Sequence, residues 1–243
     1  MKQKLNVVYN SVGQLLDVFL PEEPFEKIFL FFHGGGLTGG DQAYQPFMGY
    51  LVEKGMAVIS AAYRLYPQAR YPDYIEDAAD AVAWVKAHMP GKAVYVGGSS
   101  AGAYLSMMLC FDESYLGRRG LDVSDIQGFV HDAGQPTTHF AILQERGLDS
   151  RRVIVDEAAP LYHICPDRTY PPMVFIVSDQ DIPCRLEQIQ LMLAAMKHLG
   201  CGANARLQVL SGLHVAHDNA FDPEGNSVFG KLILKLAGGQ DHV

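Results

Sequence analysis

The 243-residue chain is poor in cysteine: Cys110, Cys165, Cys184 and Cys201 are scattered, with no CxxC pair among them. A zinc knuckle or a redox pair therefore has no support, and reduced, mostly buried thiols are expected. Positive charge is also short. With 19 Lys plus Arg against 27 Asp plus Glu, the formal charge is −8, which repels phosphate backbones and anionic membranes. Nucleic acid is not an expected partner. Arg118-Arg119 and Arg151-Arg152 are too short to track a groove and read as solvated surface. No run of 18 apolar residues occurs, and the opening "MKQKLNVVYN" has neither an apolar leader core nor a small-residue cleavage site. The expectation is a soluble, cytoplasmic protein with no membrane partner. Ser/Pro linkers, sequence repeats and low-complexity tracts are missing as well, so residues 1–243 are expected to form a single domain.

What is present is an alternation of strand-length apolar runs with helical stretches. "KLNVVYN" and "QLLDVFLP" resemble an antiparallel opening hairpin, and the wholly apolar "KIFLFF" is what a strand covered on both faces requires. "MAVISAAYRL" is the next strand. A helix follows in "PDYIEDAADAVAWVKAHM", where Asp73 and Glu76 have capping-box spacing and Ile75, Ala78, Ala79, Val82 and Val85 form one apolar stripe that Gly91 ends. Further on come the strand "AVYV", the buried helix "AGAYLSMMLCF", and the strands "IQGFVHDAG" and "PPMVFIVSD". The helix "RLEQIQLMLAAMKHLG" follows, with Leu186, Ile189, Leu193 and Met196 on one face, then the strand "ARLQVL" and the helix "SVFGKLILKLAG". This order implies an α/β fold with a mostly parallel sheet and right-handed crossovers. Residues 134–170 break the pattern, with Pro136, Pro160 and Pro166 among mixed polar and aromatic residues, and read as a small lid or rim.

Chemistry enters at "VYVGGSSAGAYLSMML". A strand, then Gly98-Ser99-Ser100-Ala101-Gly102, then a helix is the setting in which G-x-S-x-G places its serine, here Ser100, on a sharp turn with the hydroxyl above the sheet. A glycine-rich turn without chemistry has the same letters. Two further patterns weigh against that. "FFHGGG" ends a strand in His33-Gly34-Gly35-Gly36, where successive amides can face one point and stabilise an oxyanion. No Lys follows in phosphate-loop spacing, and these glycines precede a loop rather than a helix. Later strands then end in "SDQD", with Asp179 and Asp181, and in "VLSGLHVAHD", with His214 and His217, which is the order serine, acid, histidine.

Taken together, "HGGG", "AAYRLYPQARYPDYIEDAADAVAWV", "GGSSAG", "SDQD" and "GLH" resemble the α/β-hydrolase esterases, in particular the hormone-sensitive-lipase-like and acetyl-esterase branch, from about residue 28 to 236. The resemblance implies an α/β-hydrolase fold with a catalytic triad of Ser100, Asp181 and His214. It implies an oxyanion hole made by the amides of Gly35, Gly36 and Ala101, with His33 supporting the loop. Asp181 rather than Asp179 matches the family's small residue, two variable positions and acid. His214 has the reach expected of a base just past the last strand, four residues beyond Leu210, whereas His217 is expected to line the rim or cap the next segment. The branch commonly has an acidic residue where this chain has Ser99 and a glycine where it has Ala103, and its larger members carry a long N-terminal cap. An open, shallow site for short acyl esters is implied, with a small-molecule ester as partner and no metal or organic cofactor.

Three rivals share these residues. An amidase or formamidase uses the same triad and oxyanion hole. A catalytically idle binding protein would keep the pocket, though it would be expected to lack a triad member. A metal enzyme could use His214-x-x-His217-Asp218, although Gly212 favours a loop there and no third ligand has a suggestive spacing.

Overall fold

A computed structural model describes residues 1–238; residues 239–243, part of the expected domain, lie outside the described residues. Eight strands form one sheet in the order β1-β2-β4-β3-β5-β6-β7-β8. They are β1 Lys2–Val8, β2 Leu15–Leu20, β3 Lys27–Phe32, β4 Met56–Ala61, β5 Ala93–Ser99, β6 Gly128–Asp132, β7 Met173–Gln180 and β8 Ala205–Leu213. β1 pairs antiparallel with β2, and β2 antiparallel with β4, while every pairing from β4 through β3 to β8 is parallel. The opening hairpin and the parallel majority are as the sequence implies.

The apolar run of β3 serves both faces. Ile28, Leu30 and Phe32 join a core shared with α2 (Asp73–His88), α3 (Ala101–Phe111) and α6 (Arg185–His198), and Phe29 and Phe31 join a second core with α1 (Pro46–Glu53) and α7 (Val228–Leu236). Successive side chains of a strand point to opposite faces, so a strand with helices on both sides favours apolar residues at every position. Two short helices, α4 (Glu113–Gly117) and α5 (Phe140–Glu145), complete the set among the described residues. No helix there is long and apolar enough to cross a membrane.

Several expectations need correction. α1 was not foreseen: it is eight residues long and carries Gly49 in its middle, which weakens the helical signal. α2 has no capping box. Pro72 occupies the N-cap without a side-chain hydrogen bond, and Glu76 is instead held by Arg118 and Arg119, so this arginine pair grips α2 from the surface, Arg118 exposed as expected and Arg119 half-buried. On α6 the buried side chains are Arg185, Ile189, Met192 and Met196, a stripe rotated from the expected one, with Leu186 and Leu193 only half-buried. A charged residue thus heads the inner face. Cys110 and Cys201 are buried free thiols, but Cys165 and Cys184 are exposed. β8 continues past Leu210 to Leu213, so Gly212 lies inside the strand end, at φ +133°.

Within residues 134–170, Thr137, Thr138, His139, Ile142 and Leu143 are buried, and Tyr104 of α3 donates to the Ala158 carbonyl at 2.8 Å. These parts of the segment pack against the body, while residues 146–153 are exposed. Phe140 is the part of α5 that reaches the cleft described next.

Candidate active site

β5 ends at Ser99 and α3 begins at Ala101, leaving Ser100 at the corner with φ 55° and ψ −112°. That conformation costs a non-glycine residue of order 1–3 kcal/mol and persists only where its surroundings impose it. They do. The Ser100 amide donates to the Asp132 carbonyl at 2.7 Å, and α3 starts so close to the end of β3 that a Cβ on Gly102 would meet the carbonyls of Phe32 and His33. Ser99, by contrast, is buried with its hydroxyl turned inward. Both serines border the cleft at the carboxyl ends of the strands, but of the two hydroxyls it is that of Ser100 that meets His214 there.

The later strands bring the other candidates to the same corner. His214 places Nε2 2.9 Å from Ser100 Oγ and Nδ1 2.6 Å from Asp181 Oδ1. Asp181 also accepts from the amides of Ile182 and Ser178, at 2.7 and 3.3 Å. Burial alone would raise the Asp181 carboxyl, but the His214 hydrogen bond, its charge and these two amides outweigh burial and hold the carboxyl below the usual aspartate range. Such a carboxylate stays ionised against the imidazole. Asp179, the competing acid, points elsewhere: it accepts from the Ser211 hydroxyl and the Gly212 amide, at 3.1 and 2.8 Å. It ties the end of β7 to the strand that delivers His214.

Opposite this line runs the His33 to Gly36 loop. Gly35 has φ +117° and a Cβ there would strike the Gly39 carbonyl, so only glycine closes this turn. A Cβ at Gly34 would lie 3.5 Å from Ser100 Cβ, which measures how closely the loop passes the serine. The amides of Gly35, Gly36 and Ala101 donate to no protein acceptor among the described residues. His33 supports the loop from behind, hydrogen-bonded through Nδ1 to the Gly34 carbonyl at 2.7 Å and stacked on Tyr63 at 4.3 Å, with burial keeping its imidazole neutral. The resulting cleft, of about 550 Å³, is lined by Ser100, His214, Gly35, Gly36, Phe140 and Ile182, among others.

His217 does not line the rim. It is 5 % exposed and absent from the cleft lining, with Nε2 2.7 Å from Asp132 Oδ1 and 3.5 Å from Asp218 Oδ1. The reading that joins His214, His217 and Asp218 on one metal is therefore corrected, since His214 faces Ser100 instead. Asp132, His217 and Asp218 do lie together among the described residues, their ligand-type atoms within 4.8 Å of one another. Two ligands of one zinc ion would stand about 3.3 Å apart on tetrahedral geometry. The 2.7 Å between Nε2 and Oδ1 is a direct hydrogen bond. Burial pushes the Asp132 carboxyl up to about 7, and burial with the facing charge of Asp132 raises Asp218 well above the usual range, so both acids favour their protonated forms beside His217. The cluster joins the elbow, through Asp132, to the His214 loop, through His217. Asp132 ends a strand beside the elbow strand, which is a visible signal; its pairing with His217 is not.

A model of the α/β-hydrolase fold family matches residues 29–159, more than half of the chain. The chain belongs to the α/β-hydrolase fold family. Among curated relatives, this α/β hydrolase is 26 % identical over 205 residues to esterase LipC of Mycobacterium tuberculosis, covering 72 % of the chain and 50 % of the relative. The chain thus spans about half that relative's length. Among solved structures, esterase B of Lactobacillus rhamnosis superposes with a TM-score of 0.78 at 16 % identity, over 98 % of this chain and 85 % of that one. An esterase from the archaeon Pyrobaculum calidifontis does so with 0.76 at 19 %, over 98 % and 85 %. These likenesses support the fold: the same mostly parallel sheet carries this α/β hydrolase's cleft at its strand ends.

Proposed function

We propose that this α/β hydrolase is a serine carboxylesterase that cleaves small esters of short acyl groups through an acyl-enzyme. The observation that carries the reading is the line Asp181, His214, Ser100, joined by hydrogen bonds of 2.6 and 2.9 Å across three loops far apart in sequence. Ser100 Oγ attacks the ester carbonyl carbon while His214 Nε2 takes its proton. Asp181 accepts from Nδ1–H, which fixes the tautomer and stabilises the imidazolium that forms. The carbonyl oxygen, now negative, is received by the amides of Gly35, Gly36 and Ala101. His214 returns the proton to the leaving alkoxide, and water repeats the sequence on the acyl-enzyme. The esterase relatives agree with this reading. The short-acyl preference is supported by the size of the cleft, about 550 Å³, with Phe140 and Ile182 in its lining. We read the chain as one domain, with residues 134–170 contributing Phe140 to the cleft.

The test is labelling with a fluorophosphonate, followed by peptide mass analysis, alongside initial rates on 4-nitrophenyl acetate and an N-formyl arylamine. A single label on Ser100, with ester turnover that disappears in Ser100→Ala, is expected. Label on Ser99, or faster cleavage of the formamide than of the ester, would overturn the reading.

A further inference from the structure

Arg185 is out of place by the rules that govern the rest of the chain. It occupies the first position of the buried stripe of α6, ahead of Ile189, Met192 and Met196, and is only 4 % exposed. A buried guanidinium is ordinarily retained with a carboxylate against it, because an unpaired charge in the interior is strongly disfavoured. Arg185 has no such partner. Among the described residues no hydrogen bond or ion pair holds its side chain, whereas Arg64, Arg119 and Arg146 each have carboxylates in contact. The charge acting on Arg185 is that of Asp181, whose own oxygens are taken up by His214 and by the amides of Ser178 and Ile182.

The side chain faces a cavity. Arg185 lines a space of about 290 Å³ together with Gln188, Phe140 and Ile182, and Arg151 and Arg152 stand at its exposed side. Phe140 and Ile182 also line the Ser100 cleft, so the two spaces adjoin at these residues and Arg185 lies on the side of them away from Ser100. Three arginines border this space, in a chain whose formal charge is −8. A planar guanidinium matches a carboxylate through two parallel N–H···O bonds. One carboxylate neutralises one buried cation. A phosphate monoester would bring a second negative charge that faces only exposed arginines. An apolar tail would leave the cation unpaired and desolvated, which disfavours long alkyl chains.

We infer that Arg185 is the anchor of an anion subsite beside Ser100, and that the preferred substrates are small esters bearing a free carboxylate. The inference rests on the esterase reading above and deepens it.

Two matched ester pairs test it in the wild-type protein: 4-nitrophenyl hemiglutarate against 4-nitrophenyl pentanoate, which puts the carboxylate on the acyl side, and 4-acetoxybenzoate against 4-methylphenyl acetate, which puts it on the alcohol side. The carboxylated member of at least one pair is expected to have a kcat/KM higher by roughly tenfold to a hundredfold. The ratio is expected to fall to about one or below in Arg185→Met and Arg185→Gln, and glutarate or benzoate is expected to inhibit 4-nitrophenyl acetate hydrolysis competitively in the wild type. The ratio, rather than either rate, is read because a change at position 185 also alters the field at Asp181. Preference for the neutral member in both pairs, or a preference that survives Arg185→Met, overturns the inference while leaving the esterase reading standing. A phosphorylated ester hydrolysed better than its carboxylated counterpart overturns the choice of carboxylate. Failure of the wild type to hydrolyse any neutral ester in a Ser100-dependent way sinks the esterase reading instead. If the Arg185 variants do not fold, the wild-type ratios and the inhibition decide alone.

Discussion

Ser100 is held in a backbone conformation that its own side chain disfavours, and its neighbour Ser99 is spent on the interior, so the two serines must respond differently to the same truncation. Ser100→Ala is expected to lower kcat on 4-nitrophenyl acetate by on the order of a millionfold, the scale seen when a triad nucleophile is removed. Ser99→Ala is expected to keep most of the rate, and a dead Ser99→Ala beside an active Ser100→Ala would contradict the assignment. The two acids differ for a similar reason. Asp181→Asn cannot accept from His214 Nδ1–H as a carboxylate does, and a loss on the order of ten-thousandfold in kcat is expected by analogy with the triad case. Asp179 acts through the strand end that carries His214, and Asn keeps one acceptor for the Gly212 amide. A loss of about tenfold or less is expected from Asp179→Asn, equivalent to one ordinary hydrogen bond. Equal rates for the two variants would mean that the Asp181 to His214 contact is not used.

Elements carry the residues to their places, and here the sequence spoke unevenly. β3 and β5 were legible because an unbroken apolar run has one use, a strand covered on both faces, and because glycines cluster where β3, β5 and α3 converge. α1 was hidden by Gly49, and the inner face of α6 differs from the stripe of Leu186, Ile189, Leu193 and Met196 because an apolar periodicity has no place for a buried arginine such as Arg185. The site was largely visible: Ser100, Asp181 and His214 meet as their order implies. The contacts of His217 with Asp132 and of Asp179 with Gly212 were not, because each joins residues brought together only by the sheet. Gly102 tests the element-level argument. In an ordinary helix, glycine to alanine stabilises by about 1 kcal/mol. At Gly102 the added methyl group would meet the Phe32 and His33 carbonyls, backbone that cannot step aside. Gly102→Ala is therefore expected to lower both the melting temperature and esterase turnover, since the same shift displaces Ser100 and the glycine loop. A melting temperature at or above that of the wild type would show that α3 does not press on β3.

At the scale of the whole molecule, buried titratable groups set how stability varies with pH, and this α/β hydrolase has two opposing sets. Burial lowers His131 and His139 to about 3, so each contributes stability that is full above the ordinary histidine range and is lost as pH falls toward 3. Burial raises Asp132 from 3.8 to about 7, which gives the reverse sign. Its contribution is full below pH about 4, where folded and unfolded chains both carry the proton. It is lost as pH rises to about 7, because in that window the folded chain keeps a proton that the unfolded chain has released. Asp218, raised in the same sense, adds to this loss, while His33 and His217, lowered by burial, side with the other histidines. In the window from about pH 4 to 6.5 the two sets therefore oppose each other. Asp132→Asn removes one proton from the folded side of the balance and leaves an acceptor for His217. The unfolding free energy of the variant, taken from urea titrations at pH 4.5, 5.5 and 6.5, is expected to rise with pH more steeply than the wild type's by about 1.4 kcal/mol per pH unit. His131→Asn is expected to change the slope in the opposite direction. Parallel curves for wild type and Asp132→Asn would mean that Asp132 is ionised in the folded protein across this window.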